Sequence, residues 1–431
     1  MIHARLPRLP RLASLCTAGV LLLPAGCVLP LTQVSQEALT APGAIPGEWK
    51  VRLVQPPTPP AKGNALLRTS YHAGEPVAAV LPNVVAIDLD TVRRLASERN
   101  PQILLARERV NESQIAYDAA VNSCIPEFLR KDTFKRPVAE ALLWRRRAEL
   151  AKTQHEVLQD AANTYFDWLT ARRGEAISRD LEKYEEKLLN RAQRLASGEK
   201  TAQVLVEGVQ TALNGRRQFM FKVHQQGEAA AAKLAYLLGA SEPLPTPVDG
   251  ALEPIDLVDV GVSVEMLVRQ ALENGPGVRE LQGLSASIQK SIDEARFAQC
   301  VCDRTGAAII CGRLHMAQSQ SQQANFALFD TQGKLRAGVE EAVSAILSGR
   351  DQITRGASAI QHAAETYRIM DLILTEGAEA ARRSSSTYNA VLRSIQQLSQ
   401  THANYLSAVS AYNKAQVRLL LLIGTNSTCL H

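Results

Sequence analysis

Aromatic residues make up only 5% of this 431-residue chain, and its net charge is only +5. No basic stripe interleaved with aromatics is present of the kind that single-strand binders use, so no nucleic-acid partner is expected. Beyond the N-terminal region no stretch has the ~20 uninterrupted apolar residues of a membrane-spanning helix. Catalytic spacing is missing as well. There is no H-E-x-x-H, no G-x-S-x-G and no phosphate loop, and Gly333-Lys334 lacks both the preceding glycine and the following Ser or Thr. The chain therefore reads as a non-enzyme with no cofactor.

What is there begins at the N-terminus. Arg5, Arg8 and Arg11 precede an apolar stretch from Leu12 to Leu23 and then Pro24-Ala25-Gly26-Cys27. A basic segment, a short apolar run and small residues at the cleavage point describe an export signal over 1–26. The cysteine directly after them resembles a bacterial lipobox, with Pro24 in the slot of the usual leucine and Leu23 one place earlier. That resemblance implies that Cys27 becomes the lipidated first residue of the mature protein. Val28 follows it where inner-membrane lipoproteins carry Asp, which points to the outer membrane. Residues 27–82 then read as a Pro/Gly-rich tether centred on Pro56-Pro57-Thr58-Pro59-Pro60, because proline removes backbone donors and excludes helix.

From Leu89 onward Ala, Leu, Gln, Glu and Arg dominate, a helix-forming composition, and the chain is written twice. Arg94, Ala96, Glu98 and Pro101 recur as Arg269, Ala271, Glu273 and Pro276, at a constant offset of 175. Both copies close on a Leu-rich helix end stopped by glycine, at Gly239 and at Gly424. The division is a first repeat over 83–240, a proline-rich linker over 241–262, a second repeat over 263–424 and a tail over 425–431. Asp88 is the candidate cap of a helix from Leu89 to about Asn122, broken near Pro101. Further helices are expected from Pro137 to Ser197, Thr201 to Leu238, Ser263 to Gln299, Met316 to Glu376, and on to Ile423. Such long helices predict an all-α fold of duplicated antiparallel coiled-coil hairpins, with at most very short β segments.

The last helix carries a heptad seam, with Val391, Ile395, Leu398, His402, Tyr405, Val409, Tyr412, Gln416, Leu419 and Ile423 alternately four and three apart. His402 and Gln416 interrupt it, either as polar residues that set register or as ligand groups. The first-copy counterpart shows two shallower seams, one through Leu205, Val209 and Phe219, the other through Leu213, Met220 and His224. Two seams predict neighbours on both sides, as in a curved wall of helices.

Each repeat has a gap between its first and second helices. Cys124 lies in the first, and Cys300, Cys302 and Cys311 lie in the second, so all four gather at one end of the molecule. Three readings stand: disulfides in an oxidising compartment, free or buried thiols, or a zinc site completed by His315 whose C-x-C spacing is unusually short. Cys429 is left over. Arg145-Arg146-Arg147, beside Trp144, reads either as a solvated helix face or, with Arg130, Lys131, Lys135 and Arg136, as a collar for anionic head groups.

In their order and duplication these features resemble the TolC-type outer-membrane efflux proteins, in a lipoprotein branch. The resemblance rests on Asn100-Pro101 and Gly275-Pro276, on Val204-Leu205 after a glycine turn, on Asn389-Ala390-Val391-Leu392, and on Ala411-Tyr412-Asn413-Lys414 running into the final leucines. It covers about Leu89 to Gly424. It implies a homotrimer whose hairpins form a twelve-helix periplasmic tunnel, passing substrates from an inner-membrane pump. It also places the closing tips and the contact with a periplasmic adaptor at Arg194, Ser197, Gly198, Glu199 and Lys200, and at Thr375, Glu376 and Gly377. The body would lie in the periplasm, held to outer-membrane lipid through Cys27. One departure stands out: family members join the first two helices of each copy by a β-hairpin that builds a membrane barrel. The gaps here, Cys124 to Arg136 and Cys300 to Gly312, are each too short for two strands of ~9–11 residues, although the second has room for a miniature hairpin turning at Thr305-Gly306. A tether-anchored scaffold with the tunnel fold and no pore is the alternative to a duct.

Overall fold

The computed structural model describes residues 87–121, 135–196, 203–240, 244, 252–301, 307–379 and 384–424. Among them every extended element is a helix, and only Ile87 and Ala240 form isolated bridges. The first repeat holds α1 (Leu89–Arg99), α2 (Pro101–Val121), α3 (Lys135–Ala196) and α4 (Gln203–Leu237). The second holds α5 (Val264–Asn274), α6 (Val278–Val301), α7 (Ala307–Glu376) and α8 (Ser385–Ile423).

The two copies start and stop by the same devices. Asp88 accepts a hydrogen bond from the Thr91 amide at 2.8 Å, and Ser263 accepts one from the Met266 amide at 3.3 Å, each satisfying an orphan donor of a lead helix. Asn100 and Gly275 take extended backbone before their prolines, which ends each lead helix. Gly239 and Gly424 sit at φ +62° and +59°. A Cβ on Gly239 would come within 2.6 Å of the Arg99 carbonyl oxygen, and one on Gly424 would collide with the carbonyl of Asn274, the equivalent residue. Glycine is therefore required at both closures by conformation and by space.

At 1.5 Å per residue α3 is about 93 Å long and α7 about 105 Å. They run from the gap end to the tip end, and the shorter helices fill in beside them. In the tip half the wall runs α4, α3, α8, α7; in the gap half it runs α2, α3, α6, α7. The lead helices lie on this wall, α1 on α3 and α5 on α7 and α8. Four apolar clusters hold it together, and the one at the tips joins all four hairpin helices through Leu188, Val209, Ala363 and Ile395. No described helix is long and apolar enough to cross a membrane.

Two expectations change. Helix α7 begins at Ala307, nine residues before Met316, so 307–312 are helical and no miniature hairpin occupies them. Only residues 302–306 separate α6 from α7. The two shallow seams of α4 resolve into one buried stripe, Leu205, Val209, Leu213, Arg216, Val223, Gly227, Leu234 and Leu237, because within one chain α4 packs almost wholly on α3.

Candidate functional surfaces

At the tip end the two hairpins are tied directly. Arg191 of α3 donates to Asp371 of α7 at 2.6 Å, and Tyr184 stacks on Tyr367 with ring centroids 4.7 Å apart. Burial, helped by the Asp371 charge, pushes the Tyr367 phenol up to about 12. Thr375 donates to the carbonyls of Asp371 and Leu372 at 2.9 and 3.0 Å, Glu376 ends α7, and the Gly377 amide returns to Ile373 at 3.1 Å. Arg194 sits in the last turn of α3; Ser197, Gly198, Glu199 and Lys200 lie outside the described residues. Below the tips Arg216 and Glu185 form a buried ion pair at 2.8 Å, with side chains 7% and 1% exposed. Arg216 also donates to Ser399 of α8 at 3.1 Å, so one guanidinium joins three helices. Burial raises the Glu185 carboxyl and the guanidinium opposes it. Removing either partner would strand the other charge.

The helices at the two edges of the wall expose large apolar side chains. On one side Leu105 and Ile115 of α2 and Val204 and Phe221 of α4 face solvent; on the other do Phe326, Phe329, Ile369 and Leu372 of α7. Phe221 and Phe329 are 74% and 76% exposed, so in the single chain most of each ring has no neighbour. Apolar area of this kind on two opposite edges marks interaction surfaces.

At the gap end Arg145 to Arg147 form neither a solvated helix face nor a collar open to head groups, and Arg130 and Lys131 lie outside the described residues. Arg145 is buried, Arg146 donates to Glu149 at 3.0 Å, and Arg147 donates to Gln114 of α2 at 3.0 Å while lying 5.2 Å from the centre of the Trp144 ring. They pack among α2, α3 and α6. Glu280 of α6 is buried in the same junction, and desolvation pushes its carboxyl up to about 7 against the charges of Arg279 and Arg147. Cys300 lies at the end of α6 and Cys311 near the start of α7; Cys27, Cys124, Cys302 and Cys429 lie outside the described residues. Among the described residues no group of three or more His, Cys, Asp or Glu side chains is placed to hold a metal ion.

Midway along the wall α8 clamps the linker that enters the second repeat. Asn413 donates to the Glu253 carbonyl at 2.7 Å and accepts from the Ile255 amide at 2.9 Å. Gln416 accepts from the Leu257 and Val258 amides at 3.2 and 2.9 Å, and Tyr412 donates to Asp256. Gln416 thus interrupts the seam to hold backbone. Its position was visible as a break in the heptads, but the partner 158 residues away was not. His402 is half-buried and faces a groove among α3, α4 and α8, its imidazole pulled down by burial and by Arg173.

No protein-family model matches the sequence, and no curated protein does either. Solved structures do match. The chain superimposes on CusC with a TM-score of 0.62 at 15% identity, over 82% of this chain and 97% of that one. The MtrE outer membrane channel of Neisseria gonorrhoeae, in its open state, gives 0.62 at 15%, over 78% and 89%. The CmeC outer membrane channel of Campylobacter jejuni gives 0.63 at 11%, over 79% and 86%. The fold is that of the TolC-type outer-membrane channels. Within this TolC-type fold α3 and α7 end together, and the all-α reading of the described residues holds. Asn100, quoted for the resemblance, is fully buried. Its amide donates to the Leu237 carbonyl at 2.9 Å while its oxygen accepts from the Gln102 and Ile103 amides, so it closes the first repeat and caps α2 at once.

Proposed function

We propose that this chain is one subunit of an outer-membrane efflux or secretion duct. Three copies would form a periplasmic helical tunnel that passes substrates exported by an inner-membrane pump, with a periplasmic adaptor docking at the tips. Cys27 would carry the lipid that holds the duct to the outer membrane. The observation that carries this reading is the pair of apolar edges. The α2–α4 edge and the α7 edge lie on opposite sides of one wall, so copies can join head to tail, and a rotation that closes gives a ring.

A second reading, a lipid-anchored scaffold of the same fold with no pore, is favoured by the helix junction at 302–306. Five residues cannot supply two membrane strands of ~9–11 residues each. Electron microscopy and native mass spectrometry of the full chain, followed by planar-bilayer recording, test both. A trimeric ring that conducts supports the duct, and a ring without conductance supports the scaffold. Phe221→Glu and Phe329→Glu should each dissociate the ring while leaving helical content unchanged; a ring that survives both substitutions overturns the edge argument.

A further inference from the structure

On one face of the wall, α3, α4 and α8 enclose a groove of about 660 Å³. That is within the size of small-molecule sites, which also favour the spaces between packed helices. It arises because α4 and α8 both pack on α3 but scarcely touch each other. Ala171, Gly174, Val223 and Leu406 make an apolar lining, and Thr170 and Ser407 add hydroxyls. Along α3 the groove extends from Asp167 to Ser178, about 16 Å at the helical rise.

Its charge is one-sided. Lys222 and Lys414 line it, and Arg173 lies close enough to act on His402. Asp167, the acidic residue of the lining, is already held by Lys414 at 2.6 Å. Elsewhere between α3 and α4 the charges are matched: Arg217 pairs with Glu182 and Glu186, and Arg172 with Glu228. An elongated apolar trough with surplus cation at its margin suits a ligand with a chain and an anionic end.

We propose that this groove binds a single-chain amphiphile with an anionic head, its chain laid along Ala171 and Leu406 and its head drawn to Lys222. The site belongs to the folded chain and does not depend on the duct reading.

Isothermal titration of the purified full-length protein with dodecanoate, below its micelle concentration and at low salt, tests this. Saturable binding at one equivalent per chain is expected. Ala403→Trp and Ser407→Trp, which fill the groove from its exposed wall, should each weaken binding by about tenfold or more, with helical content unchanged. Lys222→Glu should weaken dodecanoate by roughly threefold and leave uncharged dodecanol unaffected. Unsaturable uptake, indifference to both tryptophans, or dodecanol binding as tightly as dodecanoate would each overturn the proposal. So would failure to bind dodecanoate together with protection of groove amides only when a partner protein is added, which points to a docked helix instead.

Discussion

Helices α2 and α6 occupy equivalent places in the two repeats, α2 beginning at Pro101 and α6 two residues after Pro276, yet they live in opposite environments. α2 lies at the edge of the wall with α3 as its main neighbour and buries only Ile103 and Ser113. α6 is held between α3 and α7 and buries Val278, Leu281, Leu284, Ile288 and Ile292. At the 175-residue offset Leu105 of α2 matches Glu280 of α6; the leucine is 55% exposed and the carboxylate is buried. Ile115, 70% exposed, matches Lys290, which is exposed on α6. Hydrophobicity alone does not decide burial in this molecule. Place in the wall does, and the edge helix keeps exposed apolar residues, which the proposed ring would cover.

The sharpest way to break this comparison is to cut into both helices. Leu281→Ala on α6 should cost roughly 2–5 kcal/mol of stability in urea melts, through lost burial and a residual cavity. Leu105→Ala on α2 should cost under about 1 kcal/mol in the dissociated chain, since little burial is lost there. Equal losses would show that α2 is not an edge helix.

Next in size is the pH effect of Glu280 on α6. The Glu280 carboxyl is raised from its ordinary 4.5 to about 7, so its contribution to stability is complete below about 4.5 and is lost as pH rises through about 7. The difference is on the order of 3 kcal/mol. Glu280→Gln should flatten the stability profile between those limits and stabilise the chain at pH 8. Arg147 and Arg279 are the charged groups that act on it, and a profile unchanged by the substitution would assign the burial wrongly.

The smallest effect contrasts the return helices. Asn413→Ala leaves the Glu253 carbonyl and Ile255 amide without their partner and should cost about 1–3 kcal/mol, while exposing linker amides to hydrogen exchange. Its counterpart on α4, ten residues further offset, is the exposed Glu228, and Glu228→Ala should change stability by less than about 0.5 kcal/mol. If both changes cost alike, the clamp is not what distinguishes the second repeat.

Much of the fold was legible because it is local. Helix formers, the capping Asp88, the break at Pro101 and the closing glycines are written locally, where sequence and geometry are nearly the same statement; the helix expected from Ser263 to Gln299 is instead split at Gly275 to Gly277 into α5 and α6. The start of α7 was misplaced because Ala307 to Gly312 carry Cys311 and the β-branched Ile309 and Ile310, which read as strand or turn although the backbone there is helical. Of the candidate surfaces, the joint ending of α3 and α7 was legible from the lengths of the two long helices. The arginine triad was not, since Arg145 to Arg147 on a bare helix look solvated until α2 and α6 enclose them.

The sequence by itself determined that this protein is two copies of a long helical hairpin, where each copy turns, and that glycine stands at both closures. Only the tertiary structure decided which helix is an edge, which carboxylate is buried, and which amides Asn413 and Gln416 hold. Those outcomes depend on neighbours more than 100 residues away, and two helices at equivalent places diverge once one of them gains a second packing face.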